Sequence, residues 1–438
     1  MNTKKITIKQ TLLIGLMTFG LFFGAGNLIF PVFLGQQAQS NYLKAFFGFI
    51  LSDCGFILLG IASLCLSQTY QFKKILTKFS PILGKLFGTL LYLVIGPLIL
   101  LPRLASVSFE MGLGSFIPQN YYVVVMALYT AIYFAIVYYL SQENHNIVTI
   151  IGKIFTPLLL VTLAIVFGLV FIFKMGNPVQ PLSMVYATNP ILQGFLDGYN
   201  TIDALVSVIF GFIIVKAYQN LGVTDSKQLA IESLKSSFVA VVLIAGVYFG
   251  LVYLGATSSG IMLPMTNGSQ ILVKVVQHYL GDAGGILLMV IVISATLKTA
   301  IGLMSSFEQG LSEIYPRVNS RYFNQISAVV SFIIAMCGLN FILMYSTYLL
   351  NFVYPIVFIL ILIMFASQKF GNHALYYRFA ITFAILPIIC NVLALATPSS
   401  PFGLINQYIP LGSEGFGWLM PSVLGYIFAF IYLKKSKS

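Results

Sequence analysis

The feature that most constrains this chain is a series of long apolar runs, separated by short stretches that carry turn residues or charge. A bilayer core about 30 Å thick requires about 20 apolar residues in a helix that crosses it, and each run meets or nearly meets that length. Because the runs do not alternate in polarity, they predict helices and exclude the strands of a β-barrel. An all-α polytopic membrane protein with twelve transmembrane helices is predicted, with spans near 11–34, 41–67, 84–109, 120–140, 149–173, 192–218, 236–256, 284–307, 324–345, 348–367, 378–397 and 415–433.

The charge content agrees with a chain that lies in lipid. Only 8% of the 438 residues are charged and 59% are apolar, whereas about a quarter of a soluble domain is charged. A soluble protein with so few charges could not cover its own surface. Soluble enzymes, secreted scaffolds and nucleic-acid binders are therefore excluded, and the lipid bilayer is the surrounding that this composition predicts.

The distribution of basic residues predicts the orientation in the membrane. With the N-terminus inside, eighteen of the 23 Lys and Arg residues fall at cytoplasmic ends and loops, and only Lys44, Lys174 and Lys274 fall outside. Basic residues collect on the cytoplasmic side of membrane proteins. Both termini are therefore predicted to be cytoplasmic, with an even number of spans. Ten spans would also satisfy this rule, but would leave two pairs of apolar runs unexplained.

The first predicted span contains residues that interrupt a helix. Gly24, Gly26 and Asn27 are followed by Pro31, and both glycine and proline are poorly suited to a helix interior. In lipid, an interruption is tolerated only where the freed backbone groups face protein or a watery cavity. There, N–H groups suit a carboxylate and carbonyl groups suit a cation. Gly20 and Gly24 also match a helix-packing pattern, so this segment alone leaves both interpretations open.

The sixth predicted span carries polar residues at helical spacing. Asp197, Asn200, Asp203 and Ser207 are predicted to line one helix face, with Gly211 as a place where the helix opens. Two interrupted helices five apart in order are typical of a 5+5 inverted repeat that binds its substrate between the breaks. A polar face packed against neighbouring helices is the alternative. The chain is predicted to be one membrane domain, 1–438, with a first repeat at about 11–173, a second at about 192–367 and two additional helices at about 378–433.

Charged residues inside predicted spans are further candidates. Asp53, Arg103, Asp203 and Lys298 lie within apolar runs, and Glu110 lies near the end of one. Charges in the membrane are expensive and are usually functional or paired. We interpret these five residues as ion-coupling or structural charges.

The eighth predicted span offers hydroxyl groups beside Lys298. Thr296, Thr299 and the pair Ser305-Ser306 would create an all-oxygen environment that suits a hard monovalent cation. Such hydroxyls commonly bond to their own helix backbone instead, so this pattern is weak without support.

Other function classes fit the sequence less well. The HExxH, GxSxG and CxxC motifs are absent and the three histidines lie near loops, so no enzyme activity and no cofactor are expected. A channel would favour a repeated filter or rings of like charge, and the sequence contains neither. A channel or a receptor-like sensor remains the alternative from another class.

Several motifs resemble the branched-chain amino acid transport system II carriers, the BrnQ type of the LIVCS family. They are Phe22-Phe-Gly-Ala-Gly-Asn-Leu-Ile-Phe-Pro31, Gly96-Pro-x4-Pro-Arg103-x3-Val-Ser-Phe-Glu110, Asn200-Thr-Ile-Asp203 and Thr299-Ala-Ile-Gly-Leu303, and the similarity extends to Trp418-Leu-Met-Pro421. The resemblance implies a LeuT-like fold with helices 1 and 6 interrupted. It also implies uptake of Leu, Ile and Val across the bacterial plasma membrane, coupled to Na⁺ or H⁺, with no obligatory protein partner. A related small apolar substrate, such as another apolar amino acid or a nucleobase, is the alternative on this fold.

The resemblance also implies a substrate site at the first break. A more distant likeness to sodium-dependent amino acid symporters implies that the break from Gly24 to Asn27 holds the substrate. The Ala25 and Gly26 amides would bind the substrate carboxylate, and Asn27 would help to bind a linked cation. Ser207 and Gly211 would line the pocket from the sixth span.

A second cation site is implied by the same likeness. The carbonyl groups of Gly20 and Phe23 and the hydroxyl of Ser305 would be its ligands, in addition to Asn27 at the first Na⁺ site. The chain has Met304 where a threonine is usual, and it adds Lys298. These departures leave open whether the chain uses one Na⁺, two Na⁺ or H⁺.

Overall fold

The structure is a computed structural model that describes residues 6–67, 80–142, 146–397 and 400–435. The regular elements of these ranges are all helical, so the predicted fold class is confirmed. In chain order, the helices are α1 (Ile8–Phe22), α2 (Ala25–Ala38), α3 (Tyr42–Ser67), α4 (Pro81–Leu93), α5 (Leu100–Met111), α6 (Tyr122–Gln142), α7 (Asn146–Ile172), α8 (Met184–Thr188), α9 (Pro190–Asp197), α10 (Asp203–Asn220), α11 (Ser226–Thr257), α12 (Gly268–Ile314), α13 (Ser320–Ala335), α14 (Leu339–Phe370), α15 (Ala374–Ala396), α16 (Pro401–Tyr408) and α17 (Leu419–Lys435).

The helices have the length and surface of membrane spans. Within the described ranges, eight helical stretches are long and apolar enough to cross a bilayer, and α1 is a shorter apolar helix. The outer face of α6 presents Val123, Leu128 and Ile132, each at least 60% exposed. Large apolar side chains on an outer helix face are in contact with lipid in a membrane protein. The chain is therefore a multi-pass membrane protein.

One predicted span boundary is wrong. The ninth span ends at Ala335 and the tenth begins at Leu339, whereas the sequence placed this boundary near 346–347. The chain turns at Gly338, whose φ of 85° is readily adopted only by glycine. The turn is short and has apolar residues on both sides, so a search for apolar runs passes over it.

A helical segment precedes the eighth predicted span. It forms the first part of α12, which bends at Gly281 (φ 62°) before that span begins. This first part packs on α2, since a Cβ atom at Gly268 would lie 1.9 Å from the Ile29 carbonyl oxygen. The predicted cytoplasmic residues Lys4, Lys5, Lys73, Lys74, Lys78 and Lys437 lie outside the described residues.

Close glycine contacts hold the interrupted segments in place. Where α2 crosses α11, a Cβ at Gly35 or Gly255 would lie 2.0 Å from a backbone oxygen of the other helix. Where α3 crosses α9, Gly48 and Gly194 meet the facing backbone in the same way. Small residues allow such close approach between membrane helices. Each interrupted segment is therefore packed tightly against a helix of the opposite half of the chain.

Candidate functional site

The first break lies where the sequence predicts it. The helix α1 ends at Phe22, Gly24 is extended (φ −117°, ψ −163°) and α2 begins at Ala25. The Asn27 side-chain oxygen accepts a hydrogen bond from the Gly24 N–H at 2.9 Å and so caps the new helix. Pro31 has no N–H, which leaves the Asn27 carbonyl without its helical donor. Free amide and carbonyl groups are thus placed together at this break.

The second break lies earlier than the sequence predicts. The helix α9 ends at Asp197, a 3-10 turn covers Gly198–Thr201, and α10 begins at Asp203. Between them, Ile202 has a φ of 71°, a left-handed conformation that is rare for a β-branched residue. The interpretation of Asp197, Asn200, Asp203 and Ser207 as one helix face is therefore wrong, because the backbone changes direction between them.

Ser207 and Gly211 lie in the continuous part of α10. The Ser207 hydroxyl bonds to the Ala204 carbonyl at 2.7 Å and lies 2.0 Å from the position of a Cβ at Gly60 on α3. Gly211 likewise faces Leu64 of α3. The prediction that the helix opens at Gly211 is wrong, and both residues contact α3 because regular helix places them on that side.

Arg103 joins the two breaks. Its guanidinium donates to the Asn200 carbonyl at 2.5 Å and to the Thr201 carbonyl at 3.3 Å, and so pairs backbone groups that the second break has freed. It also lies over the Phe30 ring at 5.1 Å and would meet a Cβ at Gly26 at 2.9 Å. A Cβ at this position of α2 would therefore displace the guanidinium from the first break.

A third interruption, which the sequence reasoning missed, positions Arg103. The stretch Val94–Leu98 is π-helical, with non-helical angles at Gly96 followed by Pro97. Pro97 has no N–H for the helical hydrogen bond and Gly96 is flexible, and both properties favour an irregular turn in a helix. The Gly96-Pro97 pair was visible in the quoted motif and was the signal that could have found this break.

Asn27 connects the first break to two other elements. Its amide nitrogen donates to Asp203 at 2.5 Å and to the Tyr248 hydroxyl of α11 at 2.6 Å. Together with the Gly24 bond, these contacts use the side-chain oxygen and both amide hydrogens. Asn27 and Asp203 are 2% and 5% exposed, so this link lies in the protein interior.

Asp53 reaches the second break from α3. Its carboxyl is fully buried and lies 2.6 Å from the Thr201 hydroxyl, which also contacts the Gly198 carbonyl at 2.7 Å. The Tyr248 hydroxyl lies close to both Asp53 and Asp203. The candidate site is therefore a buried polar centre, formed by Asn27, Asp53, Arg103, Thr201, Asp203 and Tyr248.

The hydroxyl groups of α12 divide between two helix faces. Thr299 lies beside the first break, with its methyl group 3.6 Å from the position of a Cβ at Gly24. Ser305 donates to the Ser141 carbonyl of α6 at 3.4 Å. Because a helix turns by about 100° per residue, Ser306 and not Ser305 shares the face of Thr299. Ser305 therefore faces α6 and lies on a different side of α12 from Thr299. Lys298 is half-buried and lies next to Thr299.

Glu110 belongs to a separate polar cluster at the C-terminal end of α5. It accepts hydrogen bonds from Asn267 at 3.0 Å and Gln270 at 3.1 Å, both at the start of α12. Asn267 also donates to Asn340 at 2.8 Å, at the start of α14. Arg103 and Glu110 share a helix but have different partners, so only Arg103 contributes to the buried polar centre.

The fold is shared with solved transporters. A nucleobase-cation-symport-1 transporter, Mhp1, in its inward-facing conformation matches with a TM-score of 0.60 at 15% identity, over 97% of this chain and 91% of that chain. A manganese transporter from Eremococcus coleocola matches with a TM-score of 0.58 at 15% identity, over 99% and 97% of the two chains. At this identity, the likeness establishes the LeuT-like fold and nothing about the substrate.

Sequence comparison identifies the family. The family model described as branched-chain amino acid transport protein matches residues 7–436. The branched-chain amino acid permease BraB of Bacillus subtilis is 34% identical over 97% of this chain and 96% of its own length. The branched-chain amino acid transport system 2 carrier protein of Pseudomonas aeruginosa is 33% identical over 96% and 95%. This chain belongs to the branched-chain amino acid transport protein family.

Proposed function

We propose that this protein is a secondary active symporter that takes up Leu, Ile and Val, driven by a gradient of Na⁺ or H⁺. The observation that carries the proposal is the direct hydrogen bond between the two breaks, from Asn27 to Asp203 at 2.5 Å. It joins the two segments between which inverted-repeat transporters hold their substrate. Family membership supports the substrate class.

The substrate carboxylate is assigned to the start of α2. The Ala25 and Gly26 amides lie at the N-terminus of a half-helix, where the helix dipole favours negative charge. The Arg103 guanidinium lies beside Gly26 and adds positive charge on the same side. The ammonium group is assigned to Asp203, the carboxyl that Asn27 links to the first break. The site thus complements a zwitterion.

The apolar side chain of the substrate explains why Leu, Ile and Val are preferred over smaller amino acids. Burial of each additional CH₂ group contributes about 0.8 kcal/mol, which favours Leu, Ile and Val over Ala. An apolar pocket separates compounds that differ by one methylene by only about 1–3 kcal/mol. We therefore expect the three branched-chain amino acids to compete with one another.

The transport cycle is alternating access across the bacterial plasma membrane, with both termini in the cytoplasm. The excess of basic residues on the predicted inner loops supports this orientation. The cycle makes and breaks no covalent bond in the substrate, so the protein acts as a carrier and not as an enzyme. Apart from the coupling ion, it works without a cofactor or an obligatory protein partner.

Counterflow exchange tests the proposal. Purified protein in liposomes loaded with unlabelled leucine is expected to accumulate labelled leucine transiently and with saturation, and isoleucine and valine are expected to compete. Unsaturable entry would instead indicate a channel. Saturable exchange of another apolar compound, with no response to leucine, would indicate a different substrate on the same fold. Replacement of Na⁺ by choline, with and without a protonophore, then identifies the coupling ion.

A further inference from the structure

The buried polar centre has an excess of negative charge. Arg103 is close enough to Asp203 for their opposite charges to interact. Asp53 contacts the 198–201 turn from α3, and its immediate contacts are neutral groups, the hydroxyls of Thr201 and Tyr248 and the thiol of Cys54. With both carboxylates ionised, the centre would carry one net negative charge. A zwitterionic amino acid adds no net charge, so the uncompensated carboxylate needs a further cation.

The hydrogen bonds around Asp53 indicate that this cation is a proton. The Thr201 hydroxyl has one hydrogen, yet it lies 2.6 Å from Asp53 and 2.7 Å from the Gly198 carbonyl oxygen. With Asp53 ionised, both neighbours only accept, and the single Thr201 hydrogen fully satisfies only one of them. With Asp53 protonated, Asp53 donates to the Thr201 oxygen while Thr201 donates to the carbonyl oxygen, and both contacts are full hydrogen bonds. This geometry fits the neutral acid.

An unpartnered hydroxyl within range of the charges of the buried polar centre points to a second state. Tyr354 of α14 is fully buried, and its hydroxyl has no hydrogen-bond partner among the described residues. Its position is fixed by a stacked contact with Tyr199, with ring centroids 4.3 Å apart. The groups whose charges act on it are Asp53, Asp203, Tyr199 and Arg103. A buried hydroxyl without an acceptor has a hydrogen to donate, and a carboxylate formed in this centre when a proton leaves can accept it.

We propose that Asp53 binds and releases the coupling proton, so that substrate uptake by this protein is symport with H⁺. This inference rests on the proposed function and names its coupling ion. A proton from the outer solution binds the Asp53 carboxylate, and the neutral acid donates to Thr201 in the turn of the second break. After the carrier reorients, the proton leaves to the cytoplasmic solution, and the carboxylate accepts hydrogen bonds from neighbouring hydroxyls. The groups that face Asp53 are Cys54 on its own helix, Thr201 and Asp203 at the second break, Tyr248 on α11 and Tyr354 on α14.

Proton movement in proteoliposomes tests this inference. Liposomes in Na⁺-free choline buffer contain the full-length protein and a pH-sensitive dye in the lumen. Leucine added outside is expected to acidify the lumen with the wild-type protein. The Asp53→Asn variant imitates the neutral acid permanently and cannot bind or release a proton, so it is expected to acidify the lumen no more than empty liposomes do. Leucine counterflow measured in parallel reports how much exchange the variant retains.

Two further variants make the result specific. Asp197→Asn changes another buried carboxyl, which bonds to Tyr186 and Gln193 outside the polar centre, and it is expected to keep both counterflow and acidification. Asp53→Glu retains a group that binds a proton, and it is expected to acidify the lumen.

Two outcomes overturn the inference: acidification by Asp53→Asn at the wild-type rate, or leucine influx by the wild type that needs Na⁺ and moves no proton. The wild-type measurement decides even if Asp53→Asn does not fold. Absence of saturable wild-type counterflow would instead overturn the proposed function.

Discussion

The two breaks that form the candidate site are built in different ways. At the first break, the residues that interrupt the helix and those that cap it lie within one short segment, from Gly24 to Pro31. At the second, the N-cap residue Ile202 provides no side-chain cap, and the turn is held by Arg103 from α5 and contacted by Asp53 from α3. The first break is thus determined by local sequence, whereas the second depends on tertiary contacts.

The backbone strain at the second break supports the same distinction. Ile202 holds a left-handed conformation although it is β-branched and fully buried. Such a conformation costs about 1–3 kcal/mol and persists only where its surroundings enforce it. The first break needs no comparable strain because Gly24 adopts an extended conformation. We therefore expect changes in residues that hold the second break to have the larger effect on stability.

Arg103→Ala is expected to have the largest effect. It removes the donor to the Asn200 and Thr201 carbonyls and leaves Asp203 without a nearby positive charge. Each buried acceptor left without a partner costs about 1–3 kcal/mol. Thermal unfolding in detergent should show a large drop in the midpoint, together with loss of leucine counterflow. Arg103→Lys keeps the charge but not the fork of two donors, so it should fold better and still transport poorly. If Arg103→Ala unfolded at the same midpoint temperature as the wild type, the second break would not depend on Arg103 for its stability.

Asn27→Ala tests the first break and is expected to abolish transport with a smaller loss of stability. Loss of a helix cap costs about 0.5–2 kcal/mol, and the variant also breaks the link to Asp203. Asn319 is a matched control because it caps α13 through its side chain and has no contact with the polar centre. Asn319→Ala should lose comparable stability and keep counterflow. Undiminished leucine uptake by Asn27→Ala would refute the assignment of the substrate site to this break.

The difference between the two breaks also explains how much of the site can be predicted from the sequence. The apolar runs predict helices because in lipid each span must pair its own backbone groups, and Gly24 to Pro31 mark the first break by their chemistry. The second break carries no such local mark, since the spacing from Asp197 to Ser207 also fits an unbroken helix. Its position becomes evident only when Arg103, 97 residues away from Asn200, is seen to bind the Asn200 carbonyl. The pairing of Asp53 with Thr201 across 148 residues is likewise a property of packing.

Gly26→Ala probes the contact between the two regions and is expected to affect transport more than stability. The new methyl group would lie 2.9 Å from the Arg103 guanidinium and would displace it from the first break. The gain in helix propensity from Gly to Ala, up to about 1 kcal/mol, offsets part of the strain. Counterflow should fall strongly while the unfolding midpoint changes little. Gly168→Ala on α7 adds a methyl group with no atom within 4 Å and should leave counterflow unchanged. Equal activity of both variants would mean that Arg103 does not need to approach α2 closely.

Ser305→Ala is expected to have the smallest effect. It tests whether Ser305 is a cation ligand, as the resemblance implies, or a packing contact with α6, as the structure shows. The resemblance places Ser305 at a second cation site, whereas in the structure its hydroxyl bonds to Ser141 of α6. Loss of this one contact at a partly exposed position should change stability by about 0.5 kcal/mol or less and should leave the ion dependence of leucine uptake as in the wild type. Leucine uptake is measured over a series of Na⁺ concentrations and imposed pH gradients. Ser306→Ala is the matched variant, because Ser306 lies on the face of α12 that is directed toward the first break. The contrary outcome is that Ser305→Ala, but not Ser306→Ala, needs a higher ion concentration for leucine uptake. That result would mean that α12 is rotated in the transporting state, so that Ser305 reaches the carbonyl groups of Gly20 and Phe23.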